Sequence, residues 1–301
     1  MERCPLCQSD RIGILYAGNI PSTGDRGAIY NCTSFALGVH PDIFRCRDCT
    51  FVFNEPARGL VNHLDEYAGV EDPEFLEQRD ARRVTYAREL DRIEPLCAGR
   101  DLLDVGCYAG FFLDDARRRG WNVAGVEPCE WAAQHARDQL HLDVSTVPIE
   151  ECDPTRRFDV VTMWDVLEHL ADPVRAIRKI HRLLRPNGLL VFATHNLDAP
   201  IARLMGSRYP FFMEMHTIHL NNRTRDLLLA RTGFELVERH THRRALRLGY
   251  LITRFRRVGE MPTRLAIRLA TALGLADRMV WIGFSGLETV VARRMAPGTD
   301  A

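Results

Sequence analysis

Two matched cysteine pairs, a glycine turn set between carboxylates and a histidine-bearing segment carry most of the chemistry in these 301 residues. Cys4-Pro-Leu-Cys7 and Cys46-Arg-Asp-Cys49 bracket 38 residues. Two residues between cysteines let both thiolates reach one metal from a tight turn, and two such turns complete a tetrahedral four-sulfur site. The segment between them is too small for its own core, so bound metal would supply much of its folding free energy. Cys4, Cys7, Cys46 and Cys49 fill every coordination position, which predicts a structural zinc with Cys32 as a buried bystander. Two reduced pairs, or a redox dithiol, are the plainer alternatives.

The second constellation is Asp101-Leu-Leu-Asp-Val-Gly-Cys-Tyr-Ala-Gly110. An apolar run containing Asp104 enters Gly106, and Gly110 opens a helix at Phe111. A turn this tight lets backbone rather than side chain face a ligand at the carboxyl end of a strand. Glu127 ends the next apolar run about 20 residues on, where a carboxylate would grip ribose hydroxyls. A solvated strand-end carboxylate is the bland reading of Glu127, and the turn alone also suits a dinucleotide enzyme.

These groups need a frame, and the pattern from Asp101 onward supplies one. Strand-like runs fall at Leu102–Val105, Val123–Val126, Phe158–Met163, Leu189–Thr194 and Phe234–Val237, with a last candidate in Met279–Val291. Helical stretches at Phe111–Arg119, Trp131–Leu140 and Val174–Leu184 lie between them. Such alternation predicts βαβ units and a parallel sheet covered on both faces. Before it, residues 1–57 lack helical periodicity, and Glu55-Pro-Ala-Arg-Gly59 breaks the chain. From Leu60 to Glu94 the sequence is polar and helix-permissive, with Asp72-Pro73 marking a helix start and Pro95 ending the run.

On these residues the chain resembles the class I S-adenosylmethionine-dependent methyltransferases. Asp104-x-Gly106-x-x-x-Gly110 and Gly-Val-Glu127-Pro look like their first motif and acidic second-strand end. Phe158-Asp-Val-Val-Thr-Met-Trp-Asp-Val-Leu-Glu-His-Leu-Ala-Asp-Pro173 looks like their fourth-strand motif, and Leu184-Arg-Pro-Asn-Gly-Leu-Leu-Val-Phe192 like the turn into the fifth strand. The resemblance implies an α/β, Rossmann-like class I methyltransferase sheet with helices on both faces, plus a small N-terminal zinc ribbon. It divides the chain into ribbon (1–57), connector (58–98), methyltransferase domain (99–294) and tail (295–301). It also implies S-adenosylmethionine as cofactor, held by Asp104, Gly106, Tyr108, Gly110, Glu127 and Asp165. Tyr108 stands where the family usually has Gly, and its ring is a candidate cover for the cofactor. Glu168 and His169 are expected to serve helix capping and loop packing.

The order of ribbon, connector and catalytic domain further resembles the nucleotide-sugar C-methyltransferases, as does Phe44-Arg-Cys-Arg-Asp-Cys-Thr-Phe-Val-Phe-Asn-Glu-Pro56 followed by Tyr67. In that group a Tyr-x-Glu-His segment carries the catalytic histidine. Counted back from Thr-Gly-Phe234, His216 takes this place, preceded by Met215, with Glu214 one position earlier. His216 lies in Tyr209-Pro-Phe-Phe-Met-Glu-Met-His-Thr-Ile-His219, a segment long enough to fold over the cofactor as a lid. A neutral imidazole titrating near ~6.5 suits proton abstraction. His195 and His219 are the other candidates, and packing within the lid is the alternative for all three.

Lys and Arg number 40 and Asp and Glu 40, so no global field draws the chain to nucleic acid. An rRNA base methyltransferase and a non-catalytic cofactor-binding module are the rival readings. A small-molecule acceptor is expected, a nucleotide- or lipid-linked sugar or glycan precursor, methylated on carbon or oxygen. Within a basic helical insertion (243–275), Arg243, Arg247, Arg254 and Arg257 fit one helical face beside Leu248, Leu251, Phe255 and Val258. That face is either solvated or in contact with a membrane or pyrophosphate. The start MERCPLCQSD has no apolar leader, no run approaches about 18 apolar residues, and nine cysteines suit a reducing compartment. The expected location is cytoplasmic, or peripheral to the inner face of the membrane.

Overall fold

The computed structural model describes residues 3–20, 37–54, 67–170, 172–254, 259–283 and 286–295. Cys32, the break at Glu55–Gly59, the residues Phe255, Arg257 and Val258, and nearly all of the tail lie outside them. Two sheets organise the rest, with a third, two-stranded one appended.

The large sheet uses β4 (Asp101–Val105), β5 (Asn122–Val126), β6 (Val144–Ser145), β7 (Phe158–Trp164), β8 (Leu184–His195), β10 (Phe234–Thr241) and β13 (Leu287–Arg294) in the order β10-β13-β8-β7-β4-β5-β6. The expected parallel sheet is therefore a mixed one, because β13 runs antiparallel to both β8 and β10. Strand residues alternate between faces, as a period of two requires. Leu103, Val161 and Leu190 bury into one core with Ile177 and Ile180, while Leu102, Val160 and Leu189 bury into the other with Phe112. The central strands are apolar on both sides, which fits a sheet covered by helices on each face.

The covering helices follow from capping and periodicity. In chain order they are α1 (Pro73–Glu77), α2 (Arg79–Ile93), α3 (Phe111–Arg118), α4 (Glu130–Leu140), α5 (Pro173–Leu183), α6 (Pro200–Met205), α7 (Asn222–Arg231), α8 (Leu248–Thr253) and α9 (Glu260–Ala272). Asp72 caps α1 by accepting from Phe75 N, and Asp172 caps α5 by accepting from Arg175 N, each with Pro at the first helical position. Ala176, Ile177, Ile180 and Leu183 place the apolar stripe of α5 on the sheet. Leu184, read from sequence as the end of that helix, already belongs to β8.

The second sheet joins what the sequence reading kept apart. β1 (Ile12–Tyr16), β2 (Ile43–Cys46) and β3 (Val52–Asn54) form the cysteine-bearing unit, and its edge is completed by β9 (Ile218–His219) from the lid segment. Asn54 N donates to Thr217 O, and Asn221 Nδ2 reaches the Thr50 hydroxyl.

The insertion differs most from expectation. Arg243 to Arg247 do not lie on a helix: β11 (Arg244–Arg247) pairs antiparallel with β12 (Met279–Ile282), and α8 and α9 lie between the two strands. The single closing strand expected in Met279–Val291 is thus two, of which only β13 enters the main sheet. The insertion is tied down by Ala245 N, which donates to Thr85 Oγ1 on α2, and by Arg247 to Asp80.

Candidate active site

Strand order reverses between β4 and β7, so the crevice at their carboxyl ends is where a doubly wound sheet binds its ligand. The glycine turn sits there. Gly106 adopts φ 69° and donates its N–H to Val126 O, and a Cβ at this position would stand 2.5 Å from Val166 Cγ2. Gly110, at φ 78°, lets α3 start against α4, since a Cβ there would meet Leu142 Cδ1 at 2.6 Å. Both glycines are therefore required by backbone conformation and by close approach.

Glu127, just past β5, is fully buried. Its two oxygens accept separately from Tyr108 N and Cys129 N, each at 2.8 Å, and the Tyr67 side chain adds a third hydrogen bond. Burial pushes its carboxyl up to about 7 against these bonds. Asp104 accepts from the Thr162 hydroxyl at 2.6 Å, and burial together with the Glu127 charge raises it to about 8. Tyr108 has φ 47°, a left-handed conformation that costs a bulky residue roughly 1–2 kcal/mol. Its buried ring packs edge-on to Phe75 at 4.3 Å and near Trp131 at 6.2 Å.

The connector closes over this turn. Val70 O accepts from Cys129 Sγ, and Arg82 lies 3.7 Å above the Phe75 ring. Tyr67, Phe75 and Trp131 thus gather on Glu127 and Tyr108, and no motif in the sequence marks them as site residues. The Asp72-Pro73 helix start was the available signal, because it fixes Phe75 on the first turn of a helix. Tyr86 is partly buried, and desolvation raises its phenol above the usual range, with the charges of Arg82, Asp104 and Asp165 acting on it as well.

Beyond the fourth strand the chain builds a second cluster. Asp165 has φ 58° and is ion-paired with Arg244 of β11, while its Oδ1 is buried without a hydrogen-bond partner. Trp164 Nε1 is in the same position. Glu168 and His169 pack the loop, as expected, through Thr217 N to Glu168 O and His169 Nδ1 to Met215 O, but the Glu168 carboxylate caps no helix. It is buried, its Oε2 accepts from the Thr194 hydroxyl, and its Oε1 lies 3.6 Å from His195 Nε2. Burial and the Asp165 charge push it up to about 8. His195 ends β8 and stacks on Phe211 of the lid, centroids 3.7 Å apart. His216 gives its Nδ1–H to Phe211 O at 2.8 Å, which leaves Nε2 as the basic nitrogen. Its ring is 4.8 Å from that of His169 and 5.4 Å from that of His195.

Burial, reinforced by neighbouring imidazoles, holds His195 and His216 well below the usual histidine range and His219 down to about 3. The pKa near 6.5 expected for His216 is therefore corrected downward. Glu214 lies close by, its carbonyl accepting from Asn54 Nδ2 at 3.4 Å.

The four cysteines converge. Cys4 and Cys49 sulfurs are 3.6 Å apart, those of Cys7 and Cys46 3.5 Å, and all four lie within 4.8 Å of one another. A tetrahedron with metal–sulfur bonds of about 2.3 Å has edges of about 3.8 Å, so the thiols have the spacing a four-sulfur metal needs. Glu168, His169 and His216 form the other group among the described residues with ligand atoms this close.

Residues 75–239 match the family described as methyltransferase domain, more than half of the 301 residues. The ubiquinone biosynthesis O-methyltransferase of Rhodopseudomonas palustris (strain HaA2) is 35% identical over 125 residues, 39% of this chain and 48% of that protein. Its counterpart in Actinobacillus pleuropneumoniae serotype 5b (strain L20) is 35% identical over 124 residues, 37% of this chain and 53% of that one. The chain thus matches about half the length of these curated relatives. A solved structure, a SAM-dependent methyltransferase from Archaeoglobus fulgidus, is 18% identical with a TM-score of 0.50, and the match covers 74% of this chain and 100% of that one. The chain belongs to the methyltransferase-domain family, and its fold is that of the class I, S-adenosylmethionine-dependent methyltransferases.

Proposed function

We propose that this chain methylates a small hydroxylated acceptor, a sugar or glycan precursor, using S-adenosylmethionine. The observation that carries the reading is that two clusters lie at the carboxyl ends of adjacent parallel strands. The Gly106–Gly110 turn with Glu127 forms one, and Glu168, His195 and His216 form the other. The residues suit the cofactor. A carboxylate offers about four lone-pair sites, so Glu127 retains capacity for ribose hydroxyls, and the tight turn presents backbone to the ligand. Asp104, Gly106, Tyr108, Gly110 and Asp165 complete that half. When bound, the cofactor supplies an electrophilic methyl group on sulfur.

The protein's own work is to place the acceptor and to take its proton. His216 is neutral, and its Nδ1–H is fixed on Phe211 O, so Nε2 is available to accept a proton from an acceptor O–H or acidic C–H. The stacking of His195 on Phe211, 3.7 Å between centroids, packs the segment of Phe211 against the end of β8 beside His216. Cys4, Cys7, Cys46 and Cys49 would hold one structural zinc, and β3 of the same unit pairs with β9 in the segment that carries His216.

A second reading is supported by that same stacked pair and by the names of the relatives: O-methylation of a hydroxylated aromatic ring. Calorimetric titration with S-adenosylmethionine, followed by a radiolabelled-methyl screen over nucleotide sugars, lipid-linked glycans, hydroxylated aromatics and RNA, separates the two. Label in the sugars supports the first reading and label in the aromatics the second. Cofactor binding with label in RNA alone, or no cofactor binding at all, rejects both.

A further inference from the structure

Most of the solvent-facing apolar surface of a soluble domain is scattered, but on α9 it is ordered. Met261, Leu265, Leu269 and Leu273 follow one another at four-residue steps and are 76, 60, 54 and 69% exposed. At 100° per residue they sweep one side of the helix, opposite Thr263 and Ala270, which are buried against the protein. Arg264 and Arg268 are exposed along one edge of the stripe.

Charge is as uneven as hydrophobicity. Residues 243–278 contain nine arginines and two acids, Glu260 and Asp277, a net of +7. The whole chain sums to zero, so everything outside this segment carries −7. A leucine stripe edged by arginine on a cationic segment of an otherwise anionic protein matches the helix that lies in the headgroup plane of an anionic bilayer. Thirteen residues span only about 20 Å, and no helix among the described residues is long and apolar enough to cross a membrane.

We propose that α9 docks this protein on an anionic lipid surface, with Met261, Leu265, Leu269 and Leu273 entering the acyl boundary and Arg264 and Arg268 meeting headgroup phosphates. A second copy fits the stripe less well, because a two-fold pairing would bring two +7 segments together. The same insertion is ion-paired to Asp165 through Arg244. The docking is independent of the methyl-transfer reading and fails or stands separately from it.

The test is flotation of the full chain with extruded vesicles. Binding is expected to phosphatidylcholine vesicles containing phosphatidylglycerol, not to phosphatidylcholine alone, and it weakens at high salt. Leu265→Glu and Leu269→Glu should each cut binding by roughly ten- to a hundred-fold, and Arg268→Gln by about five-fold. These side chains are exposed, so thermal melting of the variants should match the parent. Equal binding to neutral vesicles, no binding to anionic ones, or full binding by the Leu265→Glu/Leu269→Glu double variant overturns the proposal. So does light scattering that shows a dimer, dissociated by Leu269→Glu, without vesicle binding.

Discussion

Replacing Glu127 with glutamine tests the cofactor half of the site with the least disturbance of shape. Tyr108 N and Cys129 N donate to different oxygens of this carboxylate, both at 2.8 Å. An amide offers one oxygen, so one buried N–H must face an NH2 group. Leaving a buried donor unmatched costs about 1–3 kcal/mol. At about 2–4 °C per kcal/mol for a chain of this class, melting should fall by roughly 2–12 °C. The ribose hydroxyls lose a charged acceptor, worth about 1.5–3 kcal/mol, so calorimetry should report S-adenosylmethionine affinity lower by about one to two decades. The cofactor-free protein carries a further signature. The Glu127 carboxyl is raised to about 7 when folded, so between pH ~4.5 and ~7 the folded state keeps a proton that the unfolded chain releases. The contribution of Glu127 to stability is therefore fully present below that window and lost as pH rises through it. Melting scans of the glutamine variant should lack this part of the pH slope. Cofactor affinity within two-fold of the parent would refute the ribose assignment, whatever happens to stability.

His216→Asn should keep cofactor affinity and lower turnover by roughly 10²–10⁴, and the parent rate should stay level as pH falls through ~6.5, because burial keeps the ring neutral there. An active asparagine variant would move the role to His195 or His219, whereas a rate that halves near ~6.5 would rule out all three buried rings as the base. Metal analysis should give one zinc per chain. Chelation or Cys46→Ser should lower melting and also raise KM, since β3 holds the lid strand. A second equivalent would put a cation on Glu168, His169 and His216. Gly106→Ala should reduce cofactor affinity at least ten-fold and lower melting, because its Cβ would meet Val166 at 2.5 Å in a left-handed backbone. Unchanged titration of that variant would remove the turn from the ligand contact.

What was legible in the sequence is what is local. The Gly106–Gly110 turn, Glu127 at the end of β5, the cap at Asp72 and the two cysteine knuckles all lie within a few residues of the signal that marks them. The mixed direction of the sheet was not legible, because the run Met279–Val291 does not say that Gly283 and Gly286 interrupt it and send only β13 into the main sheet. Arginine steps of 4, 7 and 3 are compatible with a helix, but Arg244–Arg247 found a strand partner in Met279–Ile282, and pairing at that separation leaves no local trace. The two-residue strand β9 is too short for any period. The burial of Glu168 and the bond from Arg244 to Asp165 depend on the lid and the insertion folding back over the sheet, a tertiary event to which propensity is blind.

The sheet that unites the cysteine unit with the lid also constrains how the protein is made. Phe53 pairs with Ile218, 165 positions later. At about 5–20 residues per second, a ribosome needs roughly 8–30 s to synthesise that interval. For this time β3 has an open edge beside the apolar Phe51 and Phe53, the kind of surface that recruits strands from other nascent chains. All four thiols have been synthesised by position 49. A zinc ion captured there would hold β1 to β3 together long before their last neighbour leaves the exit tunnel. Metal scarcity during growth would then show first as chain lost to aggregates, while the molecules that do mature would turn over normally.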